Sequence, residues 1–355
     1  METQWLTPDS ATWLEILADN AHDFYRLPAY LQLCARQEGG TAEAFLAREG
    51  KERFLAPLIF RPILPGMVGR DLQYDVTTPY GYGGPLATTA DADFLQRAVV
   101  ALVDGLRERS AVSAFFRLHP LLPFPVAPLE SVGMVAQTGE TVAIDLRLPA
   151  EELWRQTRSG HRSEINKLRR NGYVAEMAPV AEYLPQFETL YAQTMRRVGA
   201  SEQYHFSQDY FSDLCAALGE RLHLCVVRIE GEVTCAALFT EVDGIVQYHL
   251  SGVHDSFVSC HPAKIMLDFA RGWAKERGNH LLHLGGGLGG RRDSLFDFKA
   301  GFSELRFPFH TWRILVDPPA YALLVSDWRC RTQREPDGPG GFFPAYRKEA
   351  AIDHE

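Results

Sequence analysis

No stretch of the chain reaches the roughly 18 or more consecutive apolar residues of a membrane-spanning helix. Basic residues are in deficit. The 36 Lys and Arg face 45 Asp and Glu, a net charge of -9, which excludes a protein that coats nucleic acid over its whole surface and leaves only a local basic face. Cysteine is sparse and unpatterned: the six, at 34, 215, 225, 235, 260 and 330, form no C-x-x-C pair and have no His at metal spacing. Cys225 and Cys235 fall in strand-like apolar runs and read as buried thiols rather than zinc ligands. Heptads never run beyond two repeats, which excludes a long coiled coil. The opening "METQWLTPDSATW" lacks the charged-then-apolar layout of a signal peptide, so a cytoplasmic protein, acting as a monomer, is expected.

A chain of 355 residues exceeds the roughly 250 to 300 at which single cores stop growing, so two domains are expected. The pattern is α+β. The first half offers a helix at Ala11 to Asn20, a hairpin turning at Gly50-Lys51, a long helix at Ala90 to Arg109 and the strands "AVSAFFRLH" and "ETVAIDLRL". A second domain is expected from 149 to 333. It carries two amphipathic helices, Ala181 to Val198 and Ser207 to Leu218, the latter with Ser207 as N-cap. Three strands follow, "RLHLCVVRIE", "EVTCAALFTE" and "IVQYHLSG", with Asp243-Gly244 as the turn of the second hairpin. A helix opened by Pro262 and stopped by Gly278 leads to "HLLHLG", a glycine loop, a short helix and the strand "RFPFHTWRILVD". From Arg334 the Pro- and Gly-rich end reads as a poorly ordered tail.

Three stretches carry chemistry. In "LLHLGGGLGGRRDSLFDFKAGF", Leu281 to Phe302, the glycines fit G-x-G-x-x-G, but a dinucleotide fingerprint needs a full crossover helix next. Asp293 to Gly301 supplies only about two turns. In "PYGYGGPL" the Pro and three glycines rule out a helix, and Tyr80 and Tyr82 add two hydroxyls to a loop suited to lining a site. From Arg155 to Arg170, six Arg or Lys stand against Glu164 alone, which is either a solvated helix face or a docking face for an anion. Among the histidines of the second half, His249 and His283 lie in strands and are candidate general bases.

The order of two helices, three antiparallel strands, a helix and a further strand resembles the acyltransferase fold of the GNAT superfamily. Ordinary members hold coenzyme A on a glycine-rich segment at the helix start; "LSGVHDSFVSCHPAKIM" has no glycine pair there, and Pro262 removes an amide donor. A closer resemblance is to the Fem peptidyltransferases, carried by "PYGYGGPL", "RSGHRSEINKLRRNGY", "LYAQTMRRVGA", "QYHLSG" and, above all, "LGGGLGGRRDSLFDFKAGF". That resemblance implies two tandem GNAT-like domains, each a mostly antiparallel sheet flanked by helices. It implies peptide-bond formation with aminoacyl-tRNA as co-substrate and no other cofactor, on a peptide or peptidoglycan-precursor acceptor.

Residue by residue, the resemblance makes Lys299 and Phe298 catalytic, and Thr194, Arg196 and Tyr248 acceptor contacts. Tyr80, Tyr82, Gly286 and Gly287 would line the substrate, and Arg158, Arg162, Lys167 and Arg170 would hold the tRNA. An acceptor-binding Lys of that family's first domain finds no Lys to match it in "HDFYRLPAYLQLCAR". Amide formation from an activated ester needs a positioned carbonyl and a donor for the tetrahedral oxyanion more than it needs a strong base. Lys299 among Phe296, Phe298 and Phe302 suits that task. Two other readings stay open: an acyl-CoA-dependent N-acyltransferase of the same fold, and a binding protein that has lost the chemistry.

Overall fold

The computed structural model describes residues 1–63, 72–338 and 341–348. In chain order its strands are β1 (Glu2–Leu6), β2 (Thr41–Glu49), β3 (Glu52–Ile63), β4 (Gln73–Thr77), β5 (Leu86–Ala87), β6 (Ala111–Arg117), β7 (Met134–Asp145), β8 (Val174–Ala178), β9 (Leu222–Ile229), β10 (Glu232–Val242), β11 (Ile245–Val253), β12 (Leu281–Gly285) and β13 (Arg306–Leu315). The helices are α1 (Ala11–Ala18), α2 (Pro28–Gln37), α3 (Ala92–Glu108), α4 (Val126–Glu130), α5 (Ala150–Gln156), α6 (Ser159–Arg170), α7 (Val180–Arg197), α8 (Gln208–Leu218), α9 (Ala263–Glu276), α10 (Ser294–Ala300) and α11 (Pro318–Thr332).

Two units emerge, residues 1–138 with 309–355, and residues 139–308. This corrects the expected break near Pro149. Within the second unit, the C-terminal part of β7 pairs antiparallel with β12, Ile144 facing Leu282. Within the first, β13 pairs antiparallel with β6, Trp312 facing Phe116. Each unit is thus completed by a strand that sequence position alone would assign to the other half.

The units repeat one plan. In the first, β2, β3 and β4 form an antiparallel meander, α3 crosses over, and β6 lies parallel to β4. In the second, β9, β10 and β11 form the meander, α9 crosses over, and β12 lies parallel to β11. Helix α3 forms because Asp91 caps it, accepting the Phe94 N–H at 2.6 Å, and because Phe94, Leu95, Ala98, Val99, Leu102 and Leu106 recur on one buried face. Ser207 caps α8 as the sequence predicts, its hydroxyl accepting the Tyr210 N–H at 3.2 Å. The β10–β11 turn places both Asp243 (φ 46°) and Gly244 (φ 75°) in the left-handed region, as a type I′ hairpin demands. Separate cores fill the units: Phe54, Phe94, Phe116 and Trp312 in the first, Phe239, Met266, Leu282 and Phe302 in the second.

The described residues 341–348 of the expected tail are packed against the first unit. Tyr346 is buried with its hydroxyl 3.0 Å from Ser113 Oγ, Arg347 Nε donates to the fully buried Asp75 at 2.6 Å, and Trp328 Nε1 donates to the Lys348 carbonyl at 2.8 Å. Asp75 is the physical reason, because a buried carboxylate has to be paired and Arg61 and Arg347 together do it. Residues 339–340 and 349–355 of that segment lie outside the described residues. Among the described residues no helix is long and apolar enough to cross a membrane.

Candidate active site

The second unit opens where β11 and β12 part. Their parallel ladder consists of Ile245 with Leu281, Val246 with Leu282 and Gln247 with His283; β11 then runs on to Val253 beside β10 alone. A bulge falls at the same level, since Leu238 pairs with Leu250 but Phe239 pairs with Tyr248, leaving His249 as the extra residue. Strand β12 ends at Gly285, whose φ of 76° turns the chain into the glycine loop.

Helix α10 grips that loop at two points. Asp293 caps the helix by accepting the Phe296 N–H at 2.9 Å, and its second oxygen accepts the Leu288 N–H at 2.8 Å. From the other end, Lys299 Nζ donates to the Gly286 carbonyl at 2.6 Å. Gly287 has no room for a side chain, because a Cβ there would collide with the Arg291 carbonyl and an Asp293 oxygen. The Lys299 side chain is buried, with 8% of the residue exposed, and burial pushes its pKa down to about 8 against the opposing pull of Asp293. At neutral pH the amine is still mostly charged.

The sequence placed this ammonium among phenyl rings; the recorded partner is a backbone oxygen. The rings pack on one another and on His161. Phe298 lies 5.7 Å from the His161 ring and 5.6 Å from Phe302, while the guanidiniums of Arg292 and Arg306 each lie 5.7 Å from Phe296. His161 Nε2 donates to the Phe298 carbonyl at 2.9 Å, Arg306 to the Ala300 carbonyl at 3.3 Å, and the Arg158 N–H to the Gly301 carbonyl at 2.7 Å. These bonds satisfy the carbonyls at the end of a two-turn helix and fix it to α6. Burial holds His161 below its usual pKa, and therefore neutral. The capping role of Asp293 was missed in the sequence. Asp293 stands where an N-cap belongs, immediately before the short helix, and that signal was available.

Thr194, Arg196 and Tyr248 gather around the free end of β11. Thr194 Oγ1 accepts the Val253 N–H at 2.9 Å and a bond from Arg197 at 3.0 Å, so it clamps the strand. Arg197, ion-paired with Asp255, is the arginine tied into this clamp, whereas Arg196 is exposed. Both arginines line a cavity of about 500 Å³ with Gln193, Asp255 and Val258. Tyr248 donates to Ser251 Oγ at 2.6 Å and packs 5.5 Å from Phe239; burial raises its pKa. His283 Nδ1 meets Gln247 Oε1 at 2.6 Å, and burial drives His249 down to about 3, which leaves it uncharged.

The basic run forms α5, α6 and their junction, and only part of it is left to bind anything. Arg155 pairs with Glu152 and Arg169 with Asp268, and Arg162 donates to the Trp154 and Arg155 carbonyls at 3.4 and 3.3 Å. Arg162 is therefore a cap on α5 more than an anion ligand. Arg158, Lys167 and Arg170 are exposed, with no ion pair recorded among the described residues.

Tyr80 and Tyr82 belong to the first unit. Their loop is held by buried polar groups: Arg26 donates to the Gly84 and Pro85 carbonyls at 3.0 Å each, and the Tyr30 hydroxyl to the Tyr80 carbonyl at 3.1 Å. His119 Nδ1 accepts the Leu121 and Leu122 N–H groups at 3.1 Å, so Nε2 carries the proton that it gives to Asp23 at 2.6 Å. Tyr80 is 37% exposed, while Tyr82 packs edge-on against Tyr25 and Phe309, 5.6 and 5.2 Å away.

Residues 155–299 match the acetyltransferase (GNAT) domain family. That match gives a GNAT acyltransferase domain in the second unit, and the paired meanders make the fold two tandem GNAT-like units. The fold is similar to that of FemX, with TM-score 0.68 at 14% identity, covering 91% of this chain and 99% of that one. It is also similar to the C-terminal domain of a putative lysylphosphatidylglycerol synthetase from Agrobacterium fabrum (TM-score 0.52, 16% identity, 87% and 93% covered). A conserved protein of unknown function from Bacteroides thetaiotaomicron aligns with TM-score 0.53 at 12% identity, covering 86% and 97%. No curated protein sequence matches the chain.

Proposed function

We propose that the protein transfers an aminoacyl group from aminoacyl-tRNA to an amine of a peptide or peptidoglycan-precursor acceptor, with Lys299 stabilising the anion of the tetrahedral intermediate. The observation that carries this reading is the Lys299 ammonium, buried and bonded to Gly286, on a loop that leaves the parting strands. A charge held in a low-dielectric site acts far more strongly on a developing anion than one in water. In the same reading Phe298 shapes the acyl site, Arg196 and Tyr248 face the acceptor, Gly286 and Gly287 line the substrate, and Arg158, Lys167 and Arg170 hold phosphates. Thr194 acts through Val253, and Arg162 through the end of α5.

A tRNA donor is favoured over coenzyme A by the start of α9. There Pro262 has no N–H to offer, and the Lys264 N–H is already given to the His261 carbonyl at 3.0 Å, so the helix start is poor in free amides. The acetyltransferase-family match keeps an acyl-CoA donor as the second reading. Incubation with a charged tRNA pool bearing labelled amino acids and a lysine-containing peptide tests both: RNase-sensitive transfer is expected. Transfer that ignores RNase but requires acyl-CoA would replace the first reading with the second. Neither, together with a Lys299→Ala variant that keeps every cellular activity, would indicate a binding protein.

A further inference from the structure

We infer that the oxyanion donor is the backbone N–H of Gly287, and that Lys299 is a positioning residue acting on it through the Gly286–Gly287 peptide. The inference rests on Lys299 serving acyl transfer as proposed above, and it says how. The Lys299 amine is not poised over open space; it is committed to the Gly286 carbonyl at 2.6 Å. That carbonyl belongs to the same planar peptide as the Gly287 N–H. Among the described residues the only cis peptide precedes Pro344, so this one is trans, and in a trans peptide C=O and N–H point in opposite directions. With the oxygen fixed on Lys299, the N–H faces away from α10.

Three further observations fit. Gly287 is only partly buried, and among the described residues no acceptor is recorded for its N–H, whereas the next N–H, of Leu288, is taken by Asp293 at 2.8 Å. A Cβ at 287 would collide with the Arg291 carbonyl and Asp293, so this position is closed to any residue but glycine. A charged donor on the carbonyl also draws electron density toward that oxygen and makes the N–H at the far end of the peptide a stronger donor. The step then balances simply. The amine's lone pair forms the C–N bond while the carbonyl π pair moves to oxygen, where the Gly287 N–H meets it. On collapse that pair returns, the bond to the leaving oxygen or sulfur breaks with its electrons, and the leaving group takes the proton that nitrogen gives up.

Two measurements test this. In protein labelled with ¹⁵N-glycine and ¹³C-carbonyl, the Gly287 amide resonance should follow the titration of Lys299 and lie flat in Lys299→Met. The titratable and charged groups around α10 include Asp293 and Asp297, Glu140 with Arg292, His161 of α6 and Arg158 just before it, Lys264 of α9, Glu304, and Arg306 of β13; the Lys299→Met comparison removes their contribution. A Gly287 resonance that ignores pH in the unsubstituted protein overturns the inference. Exchanging the amide at 287 for an ester, by incorporating glycolate there, removes the N–H and keeps the chain. In the charged-tRNA transfer assay it should lower kcat about a hundredfold with little change in KM, and add nothing when Lys299 is already Met. Full kcat in the ester, with Lys299→Met crippled, refutes the backbone donor and spares the functional reading. Full kcat in Lys299→Met sinks that reading itself.

Discussion

Replacing Lys299 by Met should leave the protein about as stable as before at neutral pH, and less stable than the unsubstituted chain in alkali. The lysine's pKa falls from 10.5 in the unfolded chain to about 8 in the fold. The shift means that the charged form is disfavoured inside by about 3 kcal/mol, at about 1.4 kcal/mol per pKa unit. Below pH 8 that penalty is borne in full, offset by the bond to Gly286, which as a charged hydrogen bond contributes about 1.5 to 3 kcal/mol. Between about pH 8 and 10.5 the unfolded chain binds more protons than the native one, so stability due to this residue rises with pH. Urea melts of both proteins at about pH 7 and about pH 9.5 should show the unsubstituted chain gaining about 2 kcal/mol on Lys299→Met over that interval. A stability difference that stays constant across the interval would mean that the amine is not buried as the fold requires, and the electrostatic argument for its role would go with it.

Gly287→Ala should lower both stability and transfer, by more than about 1 kcal/mol and more than tenfold, because the new methyl meets backbone and carboxylate. Gly289→Ala, whose Cβ would stand in open space, should cost only the strain of its φ of 61°, about 1 to 2 kcal/mol; thermal melts separate the two. Arg347→Ala leaves Asp75 to Arg61 alone and should destabilise the first unit by about 2 kcal/mol in urea, with transfer unaffected at a temperature where the protein is folded. Changing Arg158, Lys167 and Arg170 to Glu should weaken binding to uncharged tRNA and flatten the dependence of log K on log salt by about 2 to 3, read by fluorescence anisotropy.

What the sequence disclosed follows from how local each signal is. The Asp243-Gly244 turn, the Ser207 cap and the apolar stripe of α3 are decided by neighbours within about four residues, and the structure has them as read. β1 is the contrary case: "ETQWL" carries no alternation strong enough to announce a strand and becomes one by pairing with β2 about forty residues away. The exchange of β7 and β13 between the units is likewise invisible, because pairing across such distances leaves no period in the chain. The ordered C-terminal segment was hidden by its Pro and Gly content, which masked the one residue that matters there, an arginine answering a carboxylate at position 75.

At the site, residue types were legible and their employment was not. Thr194 was picked out as an acceptor contact by resemblance and Arg162 as a tRNA contact within the basic run, yet both bond to backbone groups. The same pressure explains the glycine loop. Its resemblance to a dinucleotide fingerprint arises because both need backbone free of side chains beside a helix start. A fingerprint leaves that helix start open to a phosphate, and here Asp293 closes it by capping α10 and taking the Leu288 N–H. In the mechanism proposed above, the anion therefore meets the peptide that Lys299 holds and not the helix end.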